Sequence, residues 1–302
     1  MGRRETTQNP TAQGNSVNSV NAAESAILAN TPVLRIAPPS RWWAVPLGEL
    51  WAYRELLYFF VWRDIKIRYK QTAIGAAWAV LQPFLTMLVF SLFFGKLAHI
   101  PSGGLPYPIF YYSALLPWMY FAAALQNATN TIVENQRLIT KVYFPRLALP
   151  LSAVLSGLVD FGVSFLMFLA MMIYYGIRPG AAVLWLPFFL LLAILTALGV
   201  GLWLSALNAI YRDVRYVLPF LVQFWMFASP VVYASSLVPS KWRWLYGLNP
   251  MVGVIEGFRW SLTGQGDPPG RLFVISTVVV IAILLSGVGY FQKMETTVAD
   301  VV

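Results

Sequence analysis

The chain has 302 residues, of which 58% are hydrophobic and 11% charged, with a mean hydropathy of +0.64. Soluble domains carry about a quarter charged residues, so this composition excludes an ordinary soluble domain and indicates an integral membrane protein. The absence of cysteine and the single histidine, His99, exclude disulfides, thiolate catalysis and a cysteine or histidine metal site.

The net charge of +9 does not point to nucleic acid, because the cations gather at the ends of apolar runs, as topology signals and phospholipid contacts do. Residues 1–46 are rich in Asn, Ser, Thr, Ala and Pro and contain no apolar run. They predict a disordered cytoplasmic tail without a secretory signal, since such a signal needs a basic start followed by about 7 to 15 apolar residues.

Residues 47–72 predict an amphipathic interface helix. Leu50, Tyr53, Leu57, Phe60, Val61 and Ile65 share one side, while Glu49, Arg54, Arg63, Lys66 and Lys70 mark the rest. A cytosolic extension of the first span is the alternative. The stretch from Asp64 to Trp78 then passes from clustered cations into 22 residues without a charge, Ile74 to Gly95. So abrupt a change places it at a membrane surface.

Six spans are predicted, making residues 73–302 an all-helical membrane domain: Ile74–Gly95 kinked at Pro83, Pro106–Ala128 broken by Pro117, Leu147–Tyr175, Val183–Leu207, Tyr216–Ala234 and Leu272–Phe291. Each is near or above the roughly 20 residues that a bilayer core requires, and none alternates as barrel strands do. From Arg54 onward, eleven cations precede span one, lie in the second-to-third and fourth-to-fifth loops, or follow span six. Only six lie on the opposite side, and four of those sit in the long fifth-to-sixth connection. Both termini are therefore expected on the cytoplasmic side.

Residues 235–270 are too aromatic for a plain loop. Asn249-Pro250 predicts the start of a short helix over Met251–Leu262, which Gly264 and Gly266 end, followed by Pro268-Pro269. An outer-face gate of short helices and a simple interfacial aromatic girdle both fit.

Three blocks in chain order carry a resemblance. The first is Arg63-Asp64-Ile65-Lys66-Ile67-Arg68-Tyr69-Lys70 with Thr72, Gly75, Trp78 and Pro83. The second is Asn135, Leu138-Ile139, Lys141 and Phe144-Pro145-Arg146. The third runs from Arg212-Asp213-Val214-Arg215-Tyr216 through Ser229-Pro230 and Asn249-Pro250-Met251 to Glu256-Gly257-Phe258-Arg259. From about Leu56 onward the chain resembles the permease subunit of ABC-2 type polysaccharide exporters, the group that moves O-antigen, capsule and teichoic acid. The resemblance implies a homodimer in the inner (plasma) membrane, served by two separate ABC ATPase subunits, with a lipid-linked glycan as substrate. The chain holds no phosphate loop of the Gly-x-x-x-x-Gly-Lys-Ser/Thr type. No cofactor is expected in it, and ATP and Mg would be bound by the partner. The resemblance also implies that residues 130–146 form the ATPase coupling segment, with Asn135, Arg137, Lys141 and Arg146 as contacts. Asn130 or Thr131 would cap it and Pro145 would stop it; an ordinary positive-inside loop is the competing reading.

A channel for a sugar polymer needs aromatic faces for pyranose CH surfaces and amides for hydroxyls. Trp78 and Gln82 on span one and Phe220, Gln223, Phe224 and Phe227 on span five are the lining candidates, against the plainer reading that the phenylalanines meet lipid. Arg63, Lys66, Arg68 and Lys70 suit the phosphates of a lipid carrier, and equally plain attraction to anionic membrane lipid. Ser229, Pro230, Trp242, Asn249 and Pro250 are the outer-gate candidates. Asp160, about 13 residues and roughly 20 Å into span three, would be a functional residue by default, but with no second intramembrane acid or base beside it a neutral or hydrogen-bonded packing contact is expected. Two rival functions remain, a permease for a small lipid or drug and an ion-coupled secondary transporter; the latter would want paired midplane acids. A membrane glycosyltransferase would need a carboxylate cluster that the spans do not contain.

Overall fold

A computed structural model describes residues 47–70, 75–265 and 270–301. The predicted tail over 1–46, the block residue Thr72, the first residue of predicted span one and the Gly266 and Pro268-Pro269 stop lie outside these residues. The described residues contain helices and no strand, as expected for a polytopic all-helical membrane protein.

Two helices, α1 (Leu47–Ala52) and α2 (Arg54–Lys70), precede the membrane domain. The side of this segment anticipated for lipid is the one that packs on the bundle. Leu50 and Phe60 are buried, and Phe60 meets Phe144 edge-on at 5.4 Å. Trp51, Tyr58, Phe59, Trp62 and Ile67 are the exposed apolar residues instead. Next come α3 (Gly75–Phe90), which continues as a π-helical turn over Ser91–Leu97, and α4 (Tyr107–Glu134). Pro83 lies within α3. Pro117 does not break α4, contrary to expectation. It forfeits one backbone bond, and packing along most of the helix carries the chain through it.

Residues 130–146 also differ from their prediction. Asn130 and Thr131 belong to the last turns of α4, where the Thr131 hydroxyl donates to the Ala128 carbonyl and Asn130 accepts from Asn208. The cap position falls at Asn135, followed by a single turn, α5 (Gln136–Ile139). Then come α6 (Ala148–Tyr174), a 3-10 turn over Ala181–Trp185 and α7 (Leu186–Ile210).

The predicted fifth span is half a helix. α8 covers only Val214–Phe227, about 21 Å by helical rise against a hydrocarbon core of about 30 Å. The proline at 230 disfavours helix at the residue before it. The Ser229 hydroxyl turns back to the Trp225 carbonyl, satisfying one acceptor of the last turn. After 3-10 turns at Ser235–Leu237 and Ser240–Trp242 and the single turn α9 (Arg243–Tyr246) comes α10 (Pro250–Thr263). Here the capping signals hold. Asn249 caps α10 by accepting from the Met251 N–H, and Gly264 closes it with a φ of 68°. α11 (Arg271–Val301) ends the chain. Among the described residues five segments are long and apolar enough to cross a membrane, and α8 is a shorter apolar helix, where six full spans were expected.

Side-chain contacts fix the directions. α4 and α6 run oppositely, since Tyr112 bonds to the Ser164 carbonyl and Tyr120 to that of Val154. α3 also opposes α4, pairing Phe90 with Tyr111 and Gly95 with Tyr107. α7 runs parallel to α4, through Gly201 beside Ala128 and Asn208 bonded to the Thr129 carbonyl. α11 runs parallel to α7, where Gly199 touches Leu284 and the indole of Trp203 stacks on Tyr290 at 4.1 Å. The ends of α4, α7 and α11 therefore emerge on one face, beside the starts of α3 and α6. α8 rises from that face until Trp225 meets Trp118 and Phe121, about midway along α4. α10 ends near the opposite face, where Gln265 lies by Gly103. α10 also begins toward that face, since Gly247 and Asn249 touch Leu272 and Ser276 near the start of α11.

Candidate translocation site

The helices α3, α4, α6 and α8 enclose a cavity of about 840 Å³. Its wall mixes rings with uncharged polar groups, Trp78, Trp118, Tyr120 and Phe161 alongside Gln82, Gln126, Ser164 and Gln223. Ser164 closes the seam between α6 and α3 by donating to the Ala79 carbonyl at 3.1 Å. Of the predicted lining residues, Trp78, Gln82 and Gln223 are here. Phe220, Phe224 and Phe227 are not among its lining residues; they stand on the exposed side of α8, at 70%, 67% and 48% exposure. α8 turns Pro219, Val222, Gln223 and Met226 to the cavity, and successive helical residues 100° apart put the phenylalanines on the other side. Gln126 escaped notice, although the rule that picked out Gln82, an amide within a span, applies to it equally.

At the cavity margin Asp160 makes a hydrogen-bonded contact, as anticipated, but with a charged partner that was not. Its carboxylate accepts from the Arg68 guanidinium and from the Tyr69 hydroxyl, both at the end of α2, and Arg68 and Asp160 both line the cavity. Burial, and then the hydrogen bond to Asp160, pushes the Tyr69 phenol up to about 12, so it stays a neutral donor near pH 7. The second charge was invisible along the sequence because the pair is 92 residues apart.

The four cations proposed for a phosphate do not converge. Arg63 chelates Asp64 and donates to Asn135 Oδ1 at 3.0 Å, while Ser152 donates to the other Asp64 oxygen at 3.4 Å. Lys66 lies 4.3 Å over the Trp62 ring, and Lys70 is exposed. Arg63 thus ties α2 to the 130–146 segment, and Asp64 ties it to α6. On that segment Arg137 and Lys141 are exposed beside the exposed Val142 and Tyr143, and Arg146 is partly buried. Asp213 makes no salt bridge among the described residues.

The interruption between α8 and α10 is held by two residues. Asn249 uses its whole amide: its oxygen accepts from the Trp225 indole at 2.9 Å and from the Met251 N–H at 3.0 Å, and its nitrogen donates to the Ala228 carbonyl and to Ser229. Arg259 is buried, 4.0 Å over the Phe110 ring, and donates to the Pro230 carbonyl at 2.9 Å and to Glu256 at 3.3 Å. Glu256 in turn accepts from the Ser235 N–H. The predicted gate residues Ser229, Pro230, Asn249 and Pro250 therefore meet at this joint. Trp242 stands apart, half exposed, over a cleft of about 370 Å³ shared with Trp225, Tyr246 and Asn249. Sequence reading missed Arg259, which it counted among the loop cations.

Known proteins supply the frame for these features. The chain is 30% identical over 256 residues to the O-antigen export system permease protein RfbA of Myxococcus xanthus, covering 83% of this chain and 97% of that one. It is 25% identical over 248 residues to the protein of the same name from Klebsiella pneumoniae, covering 82% and 95%. The polysialic acid transport protein KpsM of Escherichia coli matches at 26% over 196 residues, covering 64% and 76%. Residues 55–263 match the family described as ABC-2 type transporter. This chain, with its short α8 and its aromatic and amide-lined cavity, belongs to the ABC-2 type transporter family.

Proposed function

We propose that this permease is the channel subunit of an ATP-driven exporter that moves a lipid-linked polysaccharide out of the cytosol. It works as a homodimer in the inner (plasma) membrane with two separate ATPase subunits, which bind the ATP and Mg. The observation that carries this reading is the cavity wall, where indole and phenol faces alternate with the amides of Gln82, Gln126 and Gln223. Rings suit the CH faces of pyranoses and amides suit their hydroxyls. The names of the export permeases it resembles agree with such a cargo. Phe220, Phe224 and Phe227 would meet the second copy and finish the channel wall from that side. Both termini are cytoplasmic, because the face where α4, α7 and α11 end is also the cation-rich one. Arg137 and Lys141, exposed there with Val142 and Tyr143, offer the ATPase a patch of charge and apolar surface.

Affinity purification of the full chain from its native membrane tests the partnership. A phosphate-loop ATPase should come along in a one-to-one ratio, and the double variant Arg137→Glu, Lys141→Glu should lose it. A chain that purifies alone and transports under an ion gradient without ATP would overturn the reading. For the cavity, Trp78→Ala should slow ATP-dependent glycan export about fivefold, the equivalent of about 1 kcal/mol of aromatic contact, with thermal stability unchanged. Export at the parental rate would remove Trp78 from the path.

A further inference from the structure

The contact among Arg68, Tyr69 and Asp160 has a feature that a plain structural staple does not need: it stands at the margin of the cavity. Both carboxylate oxygens are engaged, Oδ2 by Arg68 and Oδ1 by Tyr69. The pair is not sealed, since the side chains of Arg68 and Asp160 keep 32% and 30% of their exposure. The two donors are consecutive residues at the end of α2, while the acceptor is the thirteenth residue of α6. A guanidinium fork with a neutral hydroxyl beside it is a receptor for an oxyanion, and it receives phosphate oxygens as well as carboxylate. Asp160 therefore fills a place that an incoming phosphate could take.

We propose that Arg68 and Tyr69 form the binding site for the phosphate of an anionic amphiphile, and that the Asp160 carboxylate is its internal stand-in, displaced when the amphiphile enters the cavity. This deepens the exporter reading and rests on it, assigning the carrier's phosphate to one cation of the α2 cluster rather than to all four. Displacement unties the end of α2 from α6 on the side where the cavity is lined by Trp78 and Gln82. Arrival of the headgroup and opening of the wall become one event. In the empty protein the carboxylate keeps Arg68 neutralised, and it holds off weaker anions by competition.

The two roles predict opposite signs. If Asp160 competes with the ligand, removing its charge tightens binding; if it only supports the fold, removing its charge weakens binding or does nothing. The test uses the full chain in lipid nanodiscs. Because the protein has no cysteine, Ala123→Cys, on the cavity wall, can carry a single fluorescent reporter. The probe is a long-chain polyprenyl diphosphate, with inorganic pyrophosphate as the soluble comparison. Asp160→Asn should bind the lipid diphosphate about tenfold more tightly than the parent, Arg68→Gln should lose binding, and Tyr69→Phe should weaken it severalfold. Equal or weaker binding by Asp160→Asn overturns the proposal. Where Asp160→Asn does not fold, Asp160→Ser repeats the sign test, and failure of both to fold makes the carboxylate structural and overturns it as well. Pyrophosphate binding as tightly as the lipid would assign the site to a soluble anion and overturn the lipid source. Failure of the sign test in a protein that still exports glycan with its ATPase removes this site alone and leaves the exporter reading intact.

Discussion

Arg259→Ala is expected to destabilise the protein by about 3–5 kcal/mol, the range for removing one partner of a buried ion pair. The guanidinium is buried against the Phe110 ring and joins three pieces of chain: α10 itself, the Pro230 carbonyl and, through Glu256, the Ser235 N–H. Truncation leaves the Glu256 charge without its partner and the Pro230 carbonyl without its donor. Arg259→Lys should recover only part of the loss, because an ammonium cannot serve the carbonyl and the carboxylate in one plane and still lie flat on the ring. Removing both charges in Glu256→Gln, Arg259→Met should be less harmful than Arg259→Ala alone, since the stranded carboxylate causes most of the damage. Thermal unfolding in detergent measures all three. An Arg259→Ala variant within about 1 kcal/mol of the parent would show that the joint does not depend on this residue.

The second large effect is expected at Gly287. A Cβ there would lie 2.3 Å from the Gly199 carbonyl oxygen, and one on Gly199 would lie 2.9 Å from the backbone of Leu284. Both neighbours are main chain, so no side chain can rotate aside, and α7 and α11 would have to part. Gly287→Val should therefore cost about 3 kcal/mol, the upper part of the range for overpacking, and loosen the stack of Trp203 on Tyr290. Gly162 is the control. It is helical too, but a Cβ there meets nothing within 4 Å, so Gly162→Ala should be neutral or stabilise slightly through helix propensity. Equal stability of Gly287→Val and Gly162→Ala would refute the close-packed reading.

Much of the fold was legible because its signals are local. Long apolar runs fix α4, α6, α7 and α11, and Asn249-Pro250 with Gly264 marks both ends of α10. The shortening of α8 was written in Ser229-Pro230, but the apolar Val231-Val232-Tyr233 that follows kept the hydropathy high past the break. Cavity residues were recovered where an amide stands out in a span, as Gln82 and Gln223 do. Trp78 was recovered with them, but the phenylalanines were not, because a phenylalanine suits lipid, protein or cavity alike, and periodicity gives the sides of a helix without saying which one faces inward. The links of Asp160 to Arg68 and Arg63 to Asn135 cross 92 and 72 residues, and no local pattern encodes them. Arg259 looked like a topology signal because sequence gives its charge and not its burial.

The glycine contact between α7 and α11 also bears on how the protein is made. Position 287 is 88 residues beyond position 199, so at about 5–20 residues per second the ribosome needs roughly 4–18 s to supply it. For that interval the Gly199 side of α7 has been inserted without the helix that covers it. Closure of this contact therefore waits for α11, and a chain terminated before Gly287 would present quality-control proteases with an uncovered helix surface rather than with a shortened but closed bundle.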